Sequence, residues 1–202
     1  MKINSSRRLF LQRSMLATTG VALLTTGITQ AFTTASPYEG YNPYTEEKND
    51  LRVSSILGKH LTVKGKVYDK SGIIPISNTL IEVWHLSPNS KKYRHKAQLR
   101  TNEIGEYQFI TDFPNNLEGK MPRIYFKISS NNDSYFTDLA ITDFGAHISD
   151  KHWVKNNVLG KKMFPTHKTL FNQTHIIFNL SISPLKKTHY GSIIRTNHIF
   201  CR

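Results

Sequence analysis

Cysteine is nearly missing from this chain. Cys201 stands alone in 202 residues, so neither an internal disulfide nor a cysteine-rich zinc site can be built. An apolar run of the roughly 18 residues that a membrane-spanning helix needs is also missing. Acidic residues are absent from both ends, with none before Glu39 and none after Asp150. The sequence contains no Gly-x-Ser-x-Gly elbow, no phosphate-binding glycine loop and no carboxylate pair spaced for hydrolysis, which argues against the common hydrolase and nucleotide-binding classes. Against these absences stand 38% hydrophobic and 11% aromatic residues, enough for a packed core rather than a disordered chain. The charge is lopsided: 27 Lys+Arg against 14 Asp+Glu give +13.

Residues 1–35 are predicted to be an address rather than part of the fold. Ser6-Arg7-Arg8-Leu9-Phe10-Leu11 sets an arginine pair before large apolar residues, and a mild uncharged run from Met15 to Ile28 follows. Small residues come next, with Ala31 or Ala35 placed to end a cleaved piece. Basic region, weak apolar core and small-residue exit, in that order, match a twin-arginine export signal carried by Arg7 and Arg8. The alternative is an amphipathic N-terminal helix with two incidental arginines. The export reading makes the twin-arginine machinery a partner and places the mature protein in the periplasm or outside the cell. That route carries folded chains, so it raises the expectation of a cofactor inserted beforehand. In such a compartment the Cys201 thiol would meet an oxidising environment.

The mature chain reads as all-β, an antiparallel β-sandwich with long loops. Residues 36–58 form an irregular arm, and 59–202 the sandwich domain. Leu61-Thr-Val63-Lys-Gly-Lys-Val67 alternates with period two and ends in the turn Asp69-Lys-Ser-Gly72. Strands are also expected at 80–84, 107–111, 124–128 and 174–182, where β-branched and aromatic residues concentrate. A short helix is expected within 149–160, and no internal repeat is present. The basic stretch after Asp150 has two readings: a face for an anionic partner such as a membrane surface, a polyanion or an acidic aromatic, or a solvated basic face. No nucleic-acid module interleaves aromatics with these cations, so nucleic acid is not an expected partner.

One set of segments is more specific. Gly65-x-Val67-x-Asp69-x-x-Gly72 is followed by Ile81-Glu82-Val83-Trp84-His85 and Tyr93-Arg94-His95-Lys96, then by Gly105-x-Tyr107-x-Phe109-x-Thr111, Pro114, and Pro122 shortly before Phe126. Over roughly residues 60–190 the chain resembles the intradiol ring-cleavage dioxygenases, most of all the β chain of protocatechuate 3,4-dioxygenase, whose C-terminal region the closing Lys187-Thr188-His189-Tyr190 is also similar to. The resemblance implies a β-sandwich with a mononuclear non-haem Fe(III) held by two tyrosinates and two histidines, acting on catechol or protocatechuate. A hard ferric ion suits phenolate oxygens and eases deprotonation of a bound catechol.

Carried over residue by residue, the resemblance assigns the first tyrosinate to Tyr93. The second falls on Leu117, which has no donor atom. The two histidines fall on Arg123 and Tyr125, the active-site arginine on Met121, and the glutamine of a Thr-Gln-Leu segment on Asp138, so that Met121 and Asp138 are the substrate-pocket candidates. Alternation places Arg123 and Tyr125 on one face of their strand. A guanidinium stays charged and cannot ligate a metal, whereas Tyr125 is able to supply a substitute phenolate beside Tyr93. His85 and His95 stand in the family's motifs without being its ligands, so their expected role is structural. His147 and His152 lie five apart with no carboxylate to orient them. Two functions stay open: an exported catechol-type dioxygenase with a rebuilt Tyr93–Tyr125 site, or a binding or structural sandwich that has lost the iron. In the family's two-chain enzymes one sandwich holds the metal and a similar one lacks it, which makes a similar sandwich subunit, or a second copy of this chain, an expected partner. An aromatic small molecule is the partner if the site is active.

Overall fold

The computed structural model describes residues 36–182, apart from 131, 132 and 143. The export signal with Arg7 and Arg8, the Lys187–Tyr190 segment and Cys201 therefore lie outside the described residues.

Among the described residues, ten strands form two sheets. The first is centred on β1 (His60–Tyr68), which pairs antiparallel with β4 (Glu106–Asp112) along one edge. Along its other edge it pairs parallel with β9 (Gln173–Ile177) and then β10 (Leu180–Ser181), and β8 (Thr166–Leu170) closes that side against β9. The second sheet is antiparallel throughout, in the order β3 (His95–Arg100), β2 (Leu80–His85), β5 (Arg123–Ser130), β6 (Asp133–Thr142), β7 (Gly145–Ile148). Period-two alternation explains the layers. Leu61, Val63 and Val67 of β1 face Ile81, Val83, Ile124, Phe126 and Ile128 of the other sheet, and all are buried. Phe126 bridges the sheets, with its ring 6.2 Å from Phe109 and 5.2 Å from Phe178.

The single late strand expected over 174–182 is two strands. The interruption falls where Gly65 of β1 meets the Phe178 carbonyl so closely that a Cβ there would stand 1.9 Å from the oxygen. The Asn179 side chain fills the gap in the ladder, accepting from the Lys66 N–H at 3.0 Å and donating to the Lys162 carbonyl at 2.9 Å. The predicted turn at Asp69–Gly72 is present, with Gly72 at φ 71 donating to the Asp69 carbonyl. The expected helix is α1 (Asp150–Asn156), capped by the Ser149 hydroxyl and continued by a 3-10 turn over Asn157–Met163. Its buried face seats His152 and Asn156 against β6 and β10, where the Tyr135 hydroxyl donates to Asn156 Oδ1 at 3.1 Å.

Candidate functional site

Strand β5 carries the key residues. With Ile124, Phe126 and Ile128 turned inward, Arg123, Tyr125 and Lys127 face outward from the second sheet. Register sets Tyr125 directly between Trp84 of β2 and Asp138 of β6. One row further along, Lys127 lies between Glu82 and Phe136. Arg123 lies diagonal to Asp138 and pairs with it, its Nη1 on Oδ2.

This outward face is not open to solvent, because the arm crosses it. Trp84 and Glu82 are 2% and 4% exposed although they point away from the core. The Tyr38 hydroxyl donates to Asp138 Oδ1 at 2.7 Å, and its ring lies 4.7 Å from that of Tyr125, with Lys151 Nζ 4.5 Å from its centroid. Trp84 Nε1 donates to the Glu39 carbonyl at 3.0 Å. Gly40, at φ 80, lies so tight on Tyr93 that a Cβ would stand 2.2 Å from the ring. The Tyr41 hydroxyl reaches Glu82 at 3.0 Å and Lys127 at 2.7 Å, while Lys127 and Glu82 themselves pair at 3.1 Å. Beyond Tyr44 the arm bridges the sheet edges, through Glu47 to Gln98 of β3 and Asp50 to Ile110 of β4.

The residues singled out in the sequence do converge. The rings of Tyr93 and Tyr125 are 6.3 Å apart. Leu117, Met121, Arg123 and Tyr125 line one cleft with Leu86, Asn115 and Lys120, and its volume of about 10 Å³ is what a single water occupies. Asp138 lies beside it through Arg123. Burial pushes the Tyr93 phenol up to about 12, with Tyr125 and Glu39 adding to the effect. Burial likewise raises Tyr125, and the Arg123 charge offsets only part of the rise. Tyr38 is raised by burial and then by the Asp138 carboxylate that it donates to. The phenols are therefore held protonated.

Such a donor set does not fit a ferric ion. Leu117 offers no oxygen. Arg123 would have to leave Asp138, since a unit charge at about 4 Å repels each charge of a metal ion by roughly 4 kcal/mol at an effective dielectric of 20. Among the described residues, no cluster of three or more His, Cys, Asp or Glu is arranged to hold a metal ion.

The histidines serve elsewhere. Asp112 accepts from His60 Nδ1 at 3.0 Å and His95 Nε2 at 2.9 Å, and His95 Nδ1 contacts Ser87 Oγ at 2.9 Å. Burial pushes the Asp112 carboxyl up, but the Val53 N–H and the two imidazoles outweigh it and hold it below the usual carboxylate range. His85 stacks on His95 at 4.7 Å and bonds Thr111 at 2.7 Å, and burial holds it at about 3. These contacts pin the two sheets together at one end. His147 is exposed on β7, whereas His152 is buried beneath α1 with its ring 4.5 Å from Phe178. Sequence reasoning missed Tyr38 and Tyr41. The pair Tyr38 and Tyr41 was the available signal that the arm is packed rather than loose, whereas Tyr44 is exposed.

No family model and no curated protein matches the chain. Solved structures do. The dioxygenase domain of a dioxygenase carbohydrate-binding protein fusion from the cellulolytic bacterium Streptomyces sp. SirexAA-E superposes with a TM-score of 0.56 at 16% identity, over 73% of this chain and 96% of that one. An intradiol ring-cleavage dioxygenase from Tetranychus urticae gives 0.55 at 18%, over 76% and 94%. The 3-chlorocatechol 1,2-dioxygenase from Rhodococcus opacus 1CP gives 0.53 at 14%, over 75% and 71%. The two-sheet sandwich of this chain is the fold of the intradiol ring-cleavage dioxygenases.

Proposed function

We propose that the protein is an exported sandwich of intradiol-dioxygenase type that works as a non-catalytic binding or structural subunit. The observation that carries this reading is the Arg123–Asp138–Tyr38 cluster, which puts a fixed cation and a protonated phenol where the resemblance places a histidine-bound ferric ion. Its partner in this reading is a similar sandwich subunit or a second copy of the chain, and the twin-arginine route delivers it to the periplasm or beyond. The proximity of Tyr93 and Tyr125 supports a second reading, a ferric site rebuilt on two tyrosinates and acting on catechol or protocatechuate. Metal analysis, the visible spectrum and oxygen uptake of the purified protein separate the two. The first reading expects a colourless protein that consumes no oxygen with either compound, even after incubation with ferrous iron and air. Near-stoichiometric iron with tyrosinate absorption would overturn it in favour of the second.

A further inference from the structure

One end of the sandwich carries an apolar surface that the proposed function does not use. His60, the first residue of β1, pairs with Asp112, the last of β4, and with Gln173, the first of β9. In the other sheet the last residue of β2, His85, faces His95 and Ile124, and Thr142 at the end of β6 faces Gly145. The His60–Asp112–His95 bonds join the two sheets at this same end. Register therefore gathers loops 53–59, 86–94, 113–122, 142–145 and 170–173 on one face.

These loops present large apolar side chains to solvent. Phe144 is 96% exposed, Phe171 93%, Ile56 87%, Val53 84%, Leu57 75% and Leu170 59%. A folded protein rarely leaves so much apolar surface together without a use for it. Phe171 adds an independent sign, because its φ of 53 is a left-handed conformation that side chains other than Asn or Asp seldom adopt. The strain returns nothing in packing, since the ring it positions projects into water. Around the apolar tips stand Lys91, Lys92, Arg94 and Lys120, all exposed. By sequence these loops carry two carboxylates, Glu118 and Asp143.

We infer that this end is a membrane-docking face, which inserts Phe144, Phe171 and Ile56 into the interface of an anionic bilayer while the ring of lysines and Arg94 meets the headgroups. Apolar tips inside a cationic rim complement such a surface, whose binding free energy combines buried apolar area with attraction to anionic lipid. A second copy of the chain is the competing occupant, but two such faces would bring their basic rims against each other. The inference stands apart from the fate of the iron site.

The test is flotation of the full-length protein with vesicles of phosphatidylcholine alone and of phosphatidylcholine with one third phosphatidylglycerol. The wild type is expected to float with the anionic vesicles and to lose most of that binding without phosphatidylglycerol or in high salt. Each basic side chain near the surface contributes about fivefold, so K91Q/K92Q should weaken binding by about 25-fold. The F144S/F171S variant changes two side chains that touch little, so its thermal unfolding should match the wild type while its vesicle binding falls by tenfold or more. Comparing it with the full-length wild type cancels any contribution from the N-terminal segment. Absence of binding to anionic vesicles, or equal binding by F144S/F171S, would overturn the inference. So would a dimer in sedimentation that F144S/F171S abolishes.

Discussion

Replacing Arg123 by methionine keeps most of the side chain's reach and removes its charge. The Asp138 side chain is 3% exposed, against 30% for Arg123, so the substitution strands a buried carboxylate whose remaining side-chain partner among the described residues is the Tyr38 hydroxyl. Breaking a buried pair from one side costs about 3–5 kcal/mol, and the partial exposure of Arg123 places the expected loss near the low end, about 3 kcal/mol. For a domain of this size each kcal/mol shifts Tm by roughly 2–4 °C, so a fall of about 6–12 °C is expected. The companion R123M/D138L removes both charges and gives up only the Tyr38 bond, about 1 kcal/mol, so it should be more stable than R123M alone. Thermal and urea unfolding followed by circular dichroism at pH 7 would close this double-mutant cycle. A loss below about 1 kcal/mol in R123M, or a double variant no better than the single, would refute the view that this pair holds the site together.

Other outcomes follow from the same geometry. In G40A the new methyl would collide with the Tyr93 ring at a backbone angle that side chains avoid, so the arm should lift. A loss of about 1–3 kcal/mol and a red shift in tryptophan emission as Trp84 meets water are expected, and an unchanged spectrum would count against the packed arm. Burial holds His152 at about 4, below its unfolded value of about 6.5. The unfolded chain takes up a proton there first, so stability is full above about pH 6.5 and falls by about 1.4 kcal/mol per unit as pH drops towards 4. H152L should flatten that slope in urea titrations between pH 7 and 5. Changing Arg7-Arg8 to Lys-Lys should leave the precursor in the cytoplasm, and normal extracytoplasmic accumulation on fractionation would defeat the export reading.

Period-two alternation made β1 legible, and concentrated β-branched and aromatic residues did the same for β2, β4, β5 and, as one undivided strand, for β9 and β10. The remainder failed for identifiable reasons. β3 shows only His95, Ala97 and Leu99 to the interior, a weak apolar signal inside a segment rich in cations. β6 is buried on both faces from Thr137 to Ile141, because the arm covers Asp138 and the outer side, so alternation disappears. β8 is an edge strand of Thr, His and Lys with no buried apolar face to betray it. At the site, one shared face for Arg123 and Tyr125 follows from spacing alone. That Arg123 is answered by Asp138, fifteen residues away, depends on strand register across a hairpin. That Tyr38 completes the cluster depends on tertiary packing of a segment with no regular structure of its own.

Register also explains why Arg123 and Asp138 belong together. Arg123 stands where the family resemblance expects a histidine and Asp138 where it expects a glutamine, and the two are diagonal neighbours. An aspartate at 138 without the arginine is a buried charge with no cation. An arginine at 123 beside a glutamine is a cation held against Tyr125 without its carboxylate. Each single step from one arrangement to the other therefore passes through an unpaired charge, and only the joint change is neutral. Building a ferric site here must obey the same rule. L117Y/R123H/Y125H retains Tyr93 but leaves Asp138 stranded, so it should express poorly and unfold several degrees below wild type. Adding D138Q removes the stranded charge, and the four-substitution variant is expected to regain that stability and to take up ferric iron with visible tyrosinate absorption. If the triple variant were as stable as the quadruple one, the two positions would be independent and the coupling argued from their register would be wrong.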